Sequence, residues 1–125
     1  MRFCTAINCM DGRIQLPVIQ YLCKRFNVEW VDSITEPGPN LILFEKKDDL
    51  LVQSILRRVK ISVNKHNSVG IAIVGHYDCA GNPAPEEEQI HQIQKSIEMI
   101  GHYYPNIEII GLWVDGQWEV HEIKS

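Results

Sequence analysis

The stretch that decides the fold is Val69-Gly70-Ile71-Ala72-Ile73-Val74-Gly75, followed at once by His76-Tyr77-Asp78-Cys79-Ala80-Gly81-Asn82-Pro83. The first part has no charged side chain, is rich in β-branched residues and is too short for a buried helix. It reads as a strand covered on both faces, as strands of parallel sheets are. The second part turns polar immediately and reads as a loop. Upstream, Leu51, Ile55, Val59 and Val63 recur at helical spacing behind a cap at Asp48 or Asp49, and the helix should end near Asn67. Downstream, a helix is expected from about Glu86 to Tyr103, with Glu86, Glu87 and Glu88 complementing its dipole. Ile107 to Val114 and Trp118 to Ile123 read as strands joined at Asp115-Gly116, a hairpin signal.

Towards the N-terminus, Phe3 to Asn8 is a further apolar strand running into the turn Cys9-Met10-Asp11-Gly12-Arg13. Pro17 suits the first turn of a helix carrying Val18, Ile19, Leu22, Cys23 and Phe26, with Asn27 as its stop. Val28 to Ile34 reads as a second strand. Thr35 to Asn40, with Pro37 and Pro39 around Gly38, is expected to be irregular, and Leu41 to Glu45 fits neither period. The order β-α-β-α-β-α-β-β predicts an α/β, three-layer domain spanning residues 1–125. Its sheet should be five-stranded and mostly parallel, in the order 2-1-3-4-5, with strand 5 antiparallel. In that order the winding reverses between strands 1 and 3, where ligands of open sheets bind.

The length, 125 residues, is that of one domain. Twelve basic against sixteen acidic residues, with no long basic run, speak against a nucleic-acid partner. No apolar run approaches the ~20 residues of a membrane span, and the apolar start is too short for a signal peptide. Four cysteines without an export signal predict reduced thiols and a cytoplasmic protein.

The two loops beside the expected reversal carry the chemistry. Cys9 closes one strand; His76 and Cys79 follow another. A Cys2His set is a zinc set with an open fourth position, and its sulfurs favour zinc over magnesium or calcium. Asp11 could accept a hydrogen bond from a metal-bound hydroxide, and Arg13 could hold that carboxylate ionised. Taken singly, each of these residues is more often structural: a buried thiol, or a salt bridge in a turn. Cys4 and Cys23 read as packing. His66, His91, His102 and His121 show no mutual metal spacing, and Trp113, Trp118 and Tyr104 read as core or hairpin residues. A phosphatase loop would need arginine where Gln15 stands, and neither a nucleotide P-loop nor a G-x-S-x-G elbow is present.

The segments Cys9-Met10-Asp11-Gly12-Arg13 and His76-Tyr77-Asp78-Cys79 resemble the C-x-D-x-R and H-x-x-C signatures of the β-class carbonic anhydrases, and Ile110 to Val120 looks like that family's closing hairpin. The resemblance implies reversible hydration of carbon dioxide to bicarbonate at zinc. Cys9, His76 and Cys79 would be ligands and Asp11 with Arg13 the catalytic dyad. It also implies a homodimer or larger assembly; the apolar Leu41-Ile42-Leu43-Phe44 either completes the core or covers a partner. The sequence departs from the family where Ser33 to Gly38 replaces an arginine-asparagine-alanine-glycine loop, and where Ala80-Gly81 follows the last ligand. Two alternatives stand beside this reading. One is hydrolysis of a related small electrophile such as carbonyl sulfide; the other is a non-catalytic zinc protein of the same fold.

Overall fold

The computed structural model describes residues 1–123. Its elements are β1 (Phe3–Cys9), α1 (Gly12–Arg25), β2 (Trp30–Glu36), α2 (Pro39–Glu45), α3 (Asp49–His66), β3 (Gly70–His76), α4 (Glu86–Tyr103), β4 (Glu108–Val114) and β5 (Val120–Ile123). The sheet order is β2-β1-β3-β4-β5, as the element order predicts. All pairings are parallel except β4 with β5.

Alternation along β3 divides the core. Ala72 and Val74 face the layer of Ile14, Val18 and Leu22 from α1. Ile71 and Ile73 face the opposite layer, with Leu43 from α2, Val52, Ile55 and Val59 from α3, and Ile93 and Ile100 from α4. This period of two on a strand buried throughout explains why β3 has no polar face in the sequence.

Three local expectations need correction. Pro17 is not in the first turn of α1: the helix starts at Gly12, because the Asp11 carboxylate caps it by accepting from the Arg13 N–H. Pro17 is therefore interior and offers no N–H to the Arg13 carbonyl one turn earlier. The second strand runs from Trp30, not Val28. The Val28 N–H is already taken by the Cys23 carbonyl at 3.0 Å, closing α1 behind Asn27. Thr35 to Asn40 is mostly regular, since Thr35 and Glu36 finish β2 and Pro39 opens α2, leaving Pro37-Gly38 as the link. The apolar run Leu41 to Phe44 lies in α2. Leu43 is buried in the core and Phe44 is partly exposed.

The chain leaves β1 for β2 on one side and, from β3, reaches β4 on the other, so the crevice of reversal lies at the carboxyl ends of β1 and β3. Ile7 pairs with Ile73, which brings Cys9 and His76 to the same end of neighbouring strands.

Candidate metal centre

Cys9, at the end of β1, and Cys79, in the loop after β3, bring their sulfurs to 3.8 Å. One ring nitrogen of His76 joins them, and the three ligand atoms lie within 4.8 Å of one another. All three residues are buried, His76 completely. A tetrahedral ion with 2.3 Å bonds to sulfur separates two such sulfurs by about 3.8 Å. His76 Nδ1 lies 2.7 Å from the Tyr77 carbonyl, which accepts its proton. That bond fixes the tautomer and leaves the Nε2 lone pair free to hold a metal ion. Nε2 is buried with no hydrogen-bond partner among the described residues. An orphaned imidazole nitrogen beside two thiols is a donor set compatible with a metal ion, so the residues fit such a group.

The surroundings favour thiolate. The backbone N–H groups of Asp11 and Gly38 donate to Cys9 Sγ, and those of Gly81 and Asn82 to Cys79 Sγ. The hydrogen bond from Cys79 is the largest influence on Cys9, and holds it down to about 4, while the neighbouring Cys9 thiolate pushes Cys79 up.

Asp11 stands beside this cluster but outside it. Arg13 grips its carboxylate with Nη2 at 2.7 Å from Oδ2 and Nε at 3.1 Å from Oδ1, and the Arg13 N–H donates to Oδ1 at 2.9 Å. The Arg13 hydrogen bonds hold Asp11 down to about 2. The guanidinium is itself held from two more sides. Asp78 accepts from it through Oδ2 at 3.2 Å and through its carbonyl at 3.1 Å, and the Trp118 indole lies under it with Cζ 4.5 Å from the ring centroid.

The structure thus brings all five sequence-derived site residues to one crevice. It also adds residues that the sequence reading passed over. Gln89 of α4, 1% exposed, accepts from the His76 N–H at 3.2 Å and donates to the carbonyls of His76, Asn82 and Ala84 at 3.0, 3.2 and 3.1 Å. Asn40 of α2 donates to both Gln89 and Gln92, and Asn82 donates to Gln92 at 2.7 Å. This network backs the ligand loop. Two glutamines three apart on the apolar face of an amphipathic helix were the available signal, since buried amides must find partners. Gly81 belongs to the same contact: a Cβ there would meet the Pro37 carbonyl oxygen at 2.5 Å, so the loops after β2 and β3 touch backbone to backbone.

The remaining side chains set aside in the sequence fall elsewhere. Cys4 is buried in the core and burial pushes its thiol up to about 12, while Cys23 is half-buried on α1. His66 bonds Asp32 at 2.7 Å. His121, though without spacing to another histidine, meets Asp115 and Glu119 at the exposed hairpin, with Nε2 2.7 Å from Asp115 Oδ2.

Solved structures share the fold at low identity. A carbonic anhydrase from Glaciozyma antarctica is 14% identical with a TM-score of 0.55, covering 96% of this chain and 81% of that one. A structure described as one of two tetrameric β-carbonic anhydrases from Sordaria macrospora is 12% identical with a TM-score of 0.56, covering 99% and 81%. The β-carbonic anhydrase CafA of Aspergillus fumigatus is 10% identical with a TM-score of 0.55, covering 98% and 75%. No curated protein matches in sequence. The family model described as "Putative carbonic anhydrase" matches residues 1–124, and by that match along nearly all of its length the chain belongs to this family.

Proposed function

We propose that the protein binds one zinc ion through Cys9, His76 and Cys79 and reversibly hydrates carbon dioxide to bicarbonate. One observation carries the reading: a buried, unpartnered imidazole nitrogen beside two thiols, with an ionised carboxylate next to them. A bound zinc ion would lower the pKa of a water towards neutrality and so supply the nucleophile. The protein residues do the rest. Asp11 stays ionised through the neutral range and would accept a hydrogen bond from a donor at the open side of the cluster. Arg13 keeps Asp11 ionised and holds its carboxylate in place. The Tyr77 carbonyl and Gln89 hold His76 in one tautomer and one position.

The free thiols of the described residues suit a reducing compartment, and we place the protein in the cytoplasm. No helix among the described residues is long and apolar enough to cross a membrane. We further infer a homodimer or larger assembly, which sedimentation at micromolar concentration checks: a 14.4 kDa species would reject it.

Metal content and stopped-flow carbon dioxide hydration, measured on one zinc-reconstituted sample, test the main reading. About one zinc per chain with hydration above the buffer rate is expected. Absence of metal rejects the site. Full metal without turnover rejects the catalytic reading and leaves a zinc protein of the same fold.

A further inference from the structure

Among the described residues, five non-glycines have positive φ: Asn27, Lys46, Asn67, Asp78 and Trp118. The first three stand just past α1, α2 and α3, where a left-handed residue ends a helix. Asp78 and Trp118 end no helix, and both touch the Arg13 guanidinium.

Trp118 lies at φ +62 in the β4–β5 turn. Asp115 builds that turn: its Oδ1 accepts from the N–H groups of Gln117 and Glu119, at 2.8 and 3.0 Å, and its carbonyl accepts from the Trp118 N–H at 3.0 Å. The turn therefore needs only backbone atoms at position 118, and glycine would occupy this left-handed slot without strain. The chain instead places one of its bulkiest side chains there, and the indole packs at the edge of the α1-side core with its face against Arg13. Strain held at one residue points to a task for its side chain.

Arg13 needs such support. Its side chain is 45% exposed, and an exposed ion pair alone fixes geometry poorly. The Asp11–Arg13 pair would exchange rotamers with solvent unless other groups limited the guanidinium. Asp78 reaches it from the loop between the ligands His76 and Cys79, and Trp118 reaches it from the hairpin. The contacts join α1, the ligand loop and the β4–β5 turn at a single planar group.

We propose that Trp118 and Asp78 are positioning residues, a clamp on Arg13 that fixes the direction of the Asp11 carboxylate. The catalytic part of this statement rests on the proposed function; the clamp does not.

The test follows the Arg13 Nε–H, which donates to Asp11. Its nitrogen-15 NMR signal is assigned by its loss in Arg13→Lys, and its hydrogen exchange is measured in the zinc-loaded parent, Trp118→Leu, Trp118→Phe and Asp78→Asn. Asparagine tolerates the left-handed backbone, so Asp78→Asn removes the charge and leaves the fold. Exchange should accelerate at least about threefold in Trp118→Leu and in Asp78→Asn, and return to within about twofold of the parent in Trp118→Phe, which keeps an aromatic face. Turnover in Trp118→Leu should fall about threefold to tenfold in kcat with KM unchanged. Unchanged exchange in Trp118→Leu overturns the clamp, as does a Trp118→Phe protein no better than Trp118→Leu. Should Trp118→Leu fail to fold, unchanged exchange in Asp78→Asn is decisive in the same sense. Faster exchange with undiminished kcat overturns the positioning role. A parent without turnover rejects the proposed function, and the exchange data still decide the clamp.

Discussion

Replacing Gln89 should unlock the ligand loop. In Gln89→Met a chain of similar length loses all its hydrogen bonds at once. The His76 N–H and carbonyl are fully buried and lose their Gln89 bonds. The carbonyls of Asn82 and Ala84 also lose theirs, but Ala84 is half-exposed and recovers water. Each buried group left unpaired costs about 1–3 kcal/mol. Counting the two His76 groups and the carbonyl of buried Asn82, and allowing the loop to relax, the loss should be about 3–6 kcal/mol. For a domain of this size that is a fall in Tm of roughly 10 °C or more by calorimetry. Zinc affinity should fall about tenfold to a hundredfold, since the ligand's backbone is no longer held. Gln89→Glu adds a pH signature. A carboxylate there still accepts from the His76 N–H but faces three carbonyl oxygens, so its folded pKa is raised above the unfolded value of about 4.3. A raised carboxyl pKa costs nothing below the unfolded value and destabilises increasingly as pH rises to the folded value. The Tm difference from the parent should therefore widen between about pH 4 and 8. A fall under about 3 °C in Gln89→Met, or a Tm difference in Gln89→Glu that is flat with pH, would refute the assigned role.

Three further substitutions have expected outcomes. Asp11→Asn keeps a helix cap and should keep its zinc by elemental analysis, yet lose roughly a hundredfold in hydration rate, because an amide can present a donor where an acceptor is needed. The parent's Asp11 is depressed to about 2, so its stabilising contribution is present above about pH 4 and disappears as pH falls through 2; the Tm gap between parent and Asp11→Asn should close over that window. Gly81→Ala drives a Cβ into the Pro37 carbonyl and should cost about 1–3 kcal/mol in urea unfolding; an unchanged midpoint would mean the two loops part freely. Asn8 is fully buried with neither side-chain polar atom paired among the described residues, so Asn8→Val should raise stability by about 1–3 kcal/mol, and a drop of that size would reveal a polar partner for it.

The parallel sheet was legible because β3 is apolar on both faces, and its neighbours are separated by helices with clear periodicity. That the five candidate site residues converge was legible because they sit at or just after strand ends, within two short segments. The start of α1 was missed for an instructive reason: Asp11 was read as a hydrogen-bond acceptor in the site and a partner of Arg13, although the same carboxylate caps the helix. Pro39 was read as a breaker although it is also a helix opener. Gln89 and Gln92 could be suspected from their place on an apolar helix face, but their partners, Asn40, His76 and Asn82, come from two other parts of the chain. Trp118 was read as a core or hairpin residue, and it does pack against the α1-side core; nothing local in the sequence announces its left-handed backbone, which the turn bonded by Asp115 holds with the indole over Arg13.

Seventy residues separate the two sulfurs that face each other across the β1–β3 crevice. On a translating ribosome, at about 5–20 residues per second, Cys9 is made roughly 4–14 s before Cys79. During that interval β1 has only β2 to pair with, and the first thiol is open to oxidation or to stray metal. His76 and Cys79 then arrive together, but their loop is not held until Gln89 follows on α4. The centre is thus completed in one late step, after a long-range strand pairing that closes slowly. Folding in the presence of zinc should accelerate only that last phase, leaving the earlier collapse of β1, α1 and β2 unchanged.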